Sequence, residues 1–171
     1  AEGVSVERTT FPDGRNYAKV QLQNVAVGED AVLGEKDQGA APLQKLLDIG
    51  SAHLAAELLG LSSEAFDRTV AYMKERKQFG VYISSFQALQ HRAAQMWSEL
   101  EQVKSMVLKA LMALDANDDQ ASLLASAAKA KASQVAELVT NEGVQLHGGM
   151  GMTDEFDIGL YMKRALSLIH I

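Results

Sequence analysis

Between Phe86 and Leu114 the residues Phe86, Leu89, Ala93, Met96, Leu100, Val103, Val107, Ala110 and Leu114 recur at alternating intervals of three and four. That spacing holds one apolar stripe on one side of a helix for about eight turns and excludes a strand, whose faces alternate every second residue. Ser84 followed by Gln87 fits a capping box at the start of this helix. The run "DANDD", Asp115 to Asp119, breaks the pattern. A helix of about 30 residues at 1.5 Å per residue is long for a single small bundle to cover, so its seam is expected to serve both a core and a subunit partner.

Other segments fall in with this one. Pro42 is placed to start a helix, where its missing N–H costs nothing. Leu43, Leu47, Leu54, Leu58, Leu61 and Ala65 then mark a stripe running toward Lys77, interrupted by Gly50 and Gly60. An alanine-rich third helix is expected from about Ser122 to His147, closed by Gly148 as a left-handed cap. A shorter fourth is expected from Asp154, whose carboxylate can cap free N–H groups. The expected fold is mainly α, an up-down four-helix bundle over residues 39–171.

Residues 1–38 follow a different period. In "YAKVQLQ" Ala18, Val20 and Leu22 alternate with Lys19, Gln21 and Gln23, and Pro12-Asp13-Gly14 signals a tight turn. Strands are expected up to about Val32. A ribbon of two or three strands is marginal alone. It is therefore expected to be the end of a larger β domain, the alternative being a small hairpin packed on the helices.

Composition narrows the function. With 171 residues, 47% of them hydrophobic and only 6% aromatic, the chain can build a core mainly from Leu, Val, Met and Ala. The net charge of -6 argues against a general nucleic-acid binder. The absence of cysteine removes disulfides and thiolate chemistry, and the four histidines lack the spacing of a helical zinc site. No apolar run reaches the roughly 20 residues that cross a bilayer. The reading is a soluble, cytoplasmic protein with no metal.

Two segments carry candidate chemistry. In "ERKQFGVYISSFQ", Glu75 to Gln87, and its flanks, Arg68, Lys74, Arg76, Lys77 and Arg92 face only Glu75, a cationic patch in an acidic chain. It reads either as an anion site or as the end of a helix whose macrodipole favours cations, with Gly80 as its C′ glycine. In "QLHGGMGMTDEF", Gln145 to Phe156, three glycines before a helix start would let backbone approach a ligand, or would simply make a turn.

The order of these segments resembles the C-terminal helical domain of the acyl-CoA dehydrogenase family: a helix, "RKQFG", "FQ" opening a long helix, then Gln-x-x-Gly-Gly-x-Gly near the chain end. The resemblance covers nearly the whole chain, its leading strands matching the end of the family's middle β domain. It implies a flavoprotein oxidoreductase of fatty acid or lipid metabolism whose bundle assembles subunits into a dimer or tetramer. It further implies FAD as cofactor, an acyl-CoA substrate and an electron-transfer flavoprotein as acceptor, with no nucleic acid and no membrane span. Carried over by residue, Arg76 would pair with the FAD pyrophosphate of a neighbouring subunit, Gln78 would hydrogen-bond it and Phe79 would pack on the dinucleotide. Phe86 and Gln87 would sit beside them, and Gln145, Gly148 and Gly149 would line the adenosine end.

The family abstracts the α proton with a carboxylate. Its usual glutamate would fall beyond Ile171, so no catalytic residue is expected in this chain and the chain alone is expected to be inactive. Asp48, near the alternative position of that base, reads as a solvated helix charge. Met152 stands where the family has an aromatic, and Lys163-Arg164 where it has Arg-Asp, changes that resemble a branch including heteromeric enzymes. Two other readings stay open: a non-catalytic assembly subunit of such a heteromer, and a helical interaction module without flavin. Leu166 to Ile171 look like the translation of a sequencing adaptor, which predicts that the native sequence departs after Ala165.

Overall fold

A computed structural model describes residues 2–10 and 16–171, in two compact units, Ala1–Ala41 and Pro42–Ile171. In the first, β1 (Val4–Thr10) pairs antiparallel with β2 (Asn16–Leu22), Val6 opposite Val20 and Val4 opposite Leu22. The expected turn at Pro12-Asp13-Gly14 lies outside the described residues. Strand structure ends at Leu22, ten residues earlier than expected. A short 3-10 turn, Glu29–Ala31, follows instead, because Gly28 and the acidic pair after it offer no alternating apolar face.

The second unit holds four helices around one core: α1 (Ala40–Glu75), α2 (Gln87–Asp115), α3 (Ala121–His147) and α4 (Ile158–Ile169). α1 runs through Gly50 and Gly60 without a break, and Pro42 sits in its first turn, where no intrahelical N–H bond is lost. Its buried stripe is Ala52, Ala55, Leu58, Ser62, Ala65, Thr69 and Met73, one step round from the expected one. Leu43 and Leu47 are more than half exposed. Small and hydroxylated residues won these positions because Ser62 and Thr69 return their O–H to the carbonyls of Leu58 and Ala65, each at 2.7 Å. Asp48 is buried, not solvated: its Oδ1 accepts from Gln44 Nε2 at 2.9 Å and from Ser122 Oγ of α3 at 3.0 Å.

The α2 seam buries Met96, Leu100, Val103, Val107 and Ala110 as its spacing requires. Each large side chain so buried contributes about 1.5–3 kcal/mol. α3 packs on both α2 and α4, its stripe of Ala125, Ala128, Ala132 and Ala136 leaving backbones close together. At Gly143 an added Cβ would lie 3.1 Å from Ile158 Cδ1 and 3.1 Å from Thr69 Oγ1, so glycine lets three helices meet there. α4 buries Ile158, Ala165 and Leu168. Ion pairs tie the helices at their edges: Lys131 to Glu99, Arg164 to Glu57 and Arg68 to Asp157.

Three helix ends differ from expectation. The residue before α2 is Phe86, with no side-chain cap; Ser84 lies in the 3-10 turn before it and meets α2 through its carbonyl, which accepts from Gln90 Nε2 at 2.8 Å, so no capping box forms. α4 begins at Ile158 after a 3-10 segment, Gly148–Met152, and Asp154 caps nothing. Gly148 has the expected positive φ of 62°, but ψ of -143° places it outside the left-handed helical region, in a conformation open essentially to glycine alone.

Candidate functional site

The segment after α1 is a hairpin, not a helix cap. α1 closes with Arg76 N–H bonded to Tyr72 O at 2.9 Å, and then Lys77–Gln78 (β3) pairs antiparallel with Val81–Tyr82 (β4). Phe79 and Gly80 form the two-residue turn, with φ of 57° and 81°. Positive φ at both positions is what a type I′ turn demands. Gly80 therefore serves the hairpin and is not the C′ residue of α1. The N–H of Ile83 returns to Arg76 O at 2.9 Å, so Arg76 sits at the base of the hairpin. Among the described residues the other non-glycine positions with positive φ are Asn24, Asp37 and Asn117, types that tolerate it. Phe79 is the exception, and its ring is 92% exposed, with Phe86 edge-on at 6.2 Å.

Across from the hairpin, α3 ends in a buried aromatic group. His147 is 4% exposed and stacks on Tyr72 at 4.3 Å, while Phe156 meets Tyr72 edge-on at 5.4 Å. His147 Nδ1 donates to Gly143 O at 2.7 Å; a carbonyl only accepts, so Nδ1 carries the proton. Tyr72 O–H in turn donates to His147 O at 3.3 Å. The turn that presents Gly148 and Gly149 is thus anchored to the last turns of α1.

Between these two walls lies a cavity of about 500 Å³, lined by Arg76, Gln78, Gln145, Gly148 and Gly149 together with Tyr72, Ile83, Leu89, Arg92, Leu146, His147 and Met150. Five of the eight sequence-derived site residues meet there. Phe79 and Phe86 sit together outside the lining, and Gln87 is exposed at the first position of α2. Arg92, one of the cationic patch, lines the cavity as well, whereas Tyr72 and His147 were not singled out in the sequence. Tyr72 stands four residues before Arg76, the helical spacing that puts two side chains on one face, and that signal was available. Nothing in the local sequence distinguished His147 as a cavity residue.

The electrostatics are one-sided. The lining holds two guanidiniums and no carboxylate, in a chain of net charge -6. Arg68, by contrast, is held by Glu64 and Asp157, and the hydrogen bond it donates to Glu64 leads in raising its pKa above the ordinary value. Lys77 lies 4.6 Å from the Tyr82 ring. Arg76 has no acidic partner among the described residues.

The glycines of one motif answer to different causes. A Cβ at Gly151 would fall 2.7 Å from Val144 O, so that glycine is required by packing. Gly149 has no positive φ and nothing within 4 Å of its Cβ position. The protein's own packing does not explain its missing side chain, but a ligand laid against its backbone would. Cavity size, paired cations and this open backbone together fit a dinucleotide phosphate group. Among the described residues no helix is long and apolar enough to cross a membrane, and no cluster could hold a metal ion.

Comparison with known proteins places the fold and the family. Residues 37–169 match the family model described as "Acyl-CoA dehydrogenase, C-terminal domain". The chain is 38% identical to the probable acyl-CoA dehydrogenase YngJ of Bacillus subtilis over 152 residues, 89% of this chain and 40% of that protein. It is 34% identical to the caffeyl-CoA reductase-Etf complex subunit CarC of Acetobacterium woodii, over 92% of this chain and 42% of that one. Butyryl-CoA dehydrogenase from Megasphaera elsdenii superposes with a TM-score of 0.90 at 29% identity, over 98% of this chain and 44% of that structure. The chain thus spans about two-fifths of the length of these relatives.

Proposed function

Because the chain belongs to the acyl-CoA dehydrogenase family and corresponds to its C-terminal region, we propose that it supplies one wall of an FAD site whose flavin is held mostly by a neighbouring subunit. In this reading the first unit is the end of the middle β domain. The helical unit contributes the contacts that assemble a dimer or tetramer. The full-length protein desaturates an acyl-CoA thioester between its α and β carbons.

The observation that carries the proposal is the cavity that unites Arg76 and Gln78, after α1, with Gln145, Gly148 and Gly149, at the end of α3, residues far apart in the chain. Arg76 would hold the pyrophosphate, because its planar fork matches two phosphate oxygens and no carboxylate competes for it. Gln78 spends its Nε2 on Lys77 O at 2.8 Å, which fixes the amide beside that phosphate position. Phe79, held with its ring in solvent, would pack on the dinucleotide, with Phe86 and Gln87 alongside. Gln145, Gly148 and Gly149 would line the adenosine end. When bound, FAD supplies the hydride acceptor.

In this reading the general base comes from a part of the full-length protein outside these 171 residues. Asp48 does not replace it, since its carboxylate is committed to Gln44 and Ser122. This chain alone is therefore expected to reduce no dye in the presence of acyl-CoA. An electron-transfer flavoprotein is the proposed acceptor, and the relationship to an Etf-complex subunit supports it. The decisive experiment is Arg76→Ala in the full-length protein: it should lose most of its flavin on gel filtration. Full flavin retention would return Arg76 to the role of a helix-end charge.

A further inference from the structure

The four arginines of the helical unit are used differently. Arg68 bonds Glu64 through Nε and Asp157 through Nη1. Arg164 grips Glu57 through Nε and Nη2. Arg76 has no acidic partner among the described residues. Arg92 is intermediate: its Nε donates to Glu142 on α3, while Nη1 and Nη2 have no acceptor among the described residues.

That arrangement matters because Arg92 lines the same cavity as Arg76. A guanidinium has two usable edges, and a carboxylate at Nε leaves the terminal Nη1–Nη2 fork free. Glu142 also fixes the angle of the side chain, so little freedom remains to be lost when the fork meets an anion. The pair is partly shielded, with side-chain exposures of 36% and 24%, which strengthens it over a surface ion pair. Glu142 itself is outside the cavity lining, so the charge facing the cavity remains positive.

We infer that Arg92 is a second phosphate-binding residue, held by Glu142, which acts with Arg76 as a two-point clamp on the pyrophosphate group. This rests on the reading of the cavity as a dinucleotide site. It adds a contact from α2 to a site otherwise built from the hairpin after α1 and the turn after α3.

The test titrates inorganic pyrophosphate and ADP into the 171-residue chain by calorimetry, comparing wild type with Arg76→Gln, Arg92→Gln and Arg92→Lys, and records thermal midpoints in parallel. Arg92→Gln should weaken both anions about tenfold or more, as expected for loss of a charge-assisted hydrogen bond. Arg92→Lys should regain only part of that loss, since an ammonium cannot bond Glu142 and present a fork together. If Arg76→Gln weakens binding and Arg92→Gln changes only the thermal midpoint, Arg92 is a structural ion pair and the inference fails while the site stands. Full rescue by Arg92→Lys would overturn the fork contact in favour of a diffuse positive field. If wild type takes up neither anion, or neither glutamine variant weakens it, the reading of the cavity falls and this inference with it.

Discussion

The two walls of the cavity are built on opposite principles. The wall after α1 is a hairpin of exposed side chains whose backbone is held by few bonds, with an aromatic at its tip in a conformation that costs about 1–2 kcal/mol. The wall after α3 offers mostly backbone, held from beneath by His147, Tyr72, Phe156 and the close approach at Gly151. One wall works through what its side chains can reach, and the other through where its main chain is fixed. A substitution should therefore act on binding in the first wall and on folding in the second, unless the residue is one of the few that the fold itself does not need.

The largest expected effect is at the rigid wall. Gly151→Ala places a Cβ against Val144 O, and relief requires backbone movement, so a loss of about 1–3 kcal/mol is expected in chemical denaturation. An unchanged stability would show that the turn after α3 is softer than its packing implies. The hairpin should respond in the opposite direction. Phe79→Asn gives the turn an Asn-Gly pair suited to positive φ and should raise stability by about 1 kcal/mol while weakening flavin retention in the full-length protein. Stabilisation with no loss of flavin would remove Phe79 from the site.

Lys129, on α3 away from both walls, sharpens the comparison by reporting on the bundle alone. Burial lowers its pKa from 10.5, so its folded state binds a proton less readily than its unfolded state does. Stability therefore rises with pH through the window just below 10.5, and the cost of the charge is fully present at neutral pH. Lys129→Met should raise the thermal midpoint slightly at pH 7, and the gain should shrink as pH approaches 10.5. The smallest expected effect on stability is that of Gly149→Ala. With open space and ordinary φ it should stay within about 0.5 kcal/mol of wild type, yet reduce ADP binding by crowding the ligand's approach. A Gly149→Ala variant that binds normally would leave that glycine without a role.

Much of the helical unit was legible in the chain. The seam of α2, the alanine stripe of α3, the positive φ of Gly148 and the first-turn place of Pro42 all follow from local periodicity and backbone preference. The hairpin at 77–82 was not legible, because two-residue strands carry no period and Phe is an unexpected first residue for a type I′ turn. The burial of Asp48 was hidden for a related reason: whether a helical carboxylate is solvated depends on what lies across from it, here Ser122. Of the site, the motif residues and the cationic patch with Arg92 could be named, but Tyr72 and His147 could not be placed beside them.

By itself the sequence determined four helical segments, the strands that precede them, a cationic segment and a glycine turn, since each rests on interactions within a few residues. Only the tertiary structure decided that Arg76 and Gly149 face one cavity, that Arg92 keeps its fork free while Arg68 and Arg164 do not, and that Gly149 is open where Gly151 is filled. The physical reason is that helix periodicity sets which side of a helix is apolar. The neighbours that a polar edge finds depend on how α1, α2 and α3 pack, and those contacts join residues far apart in the chain.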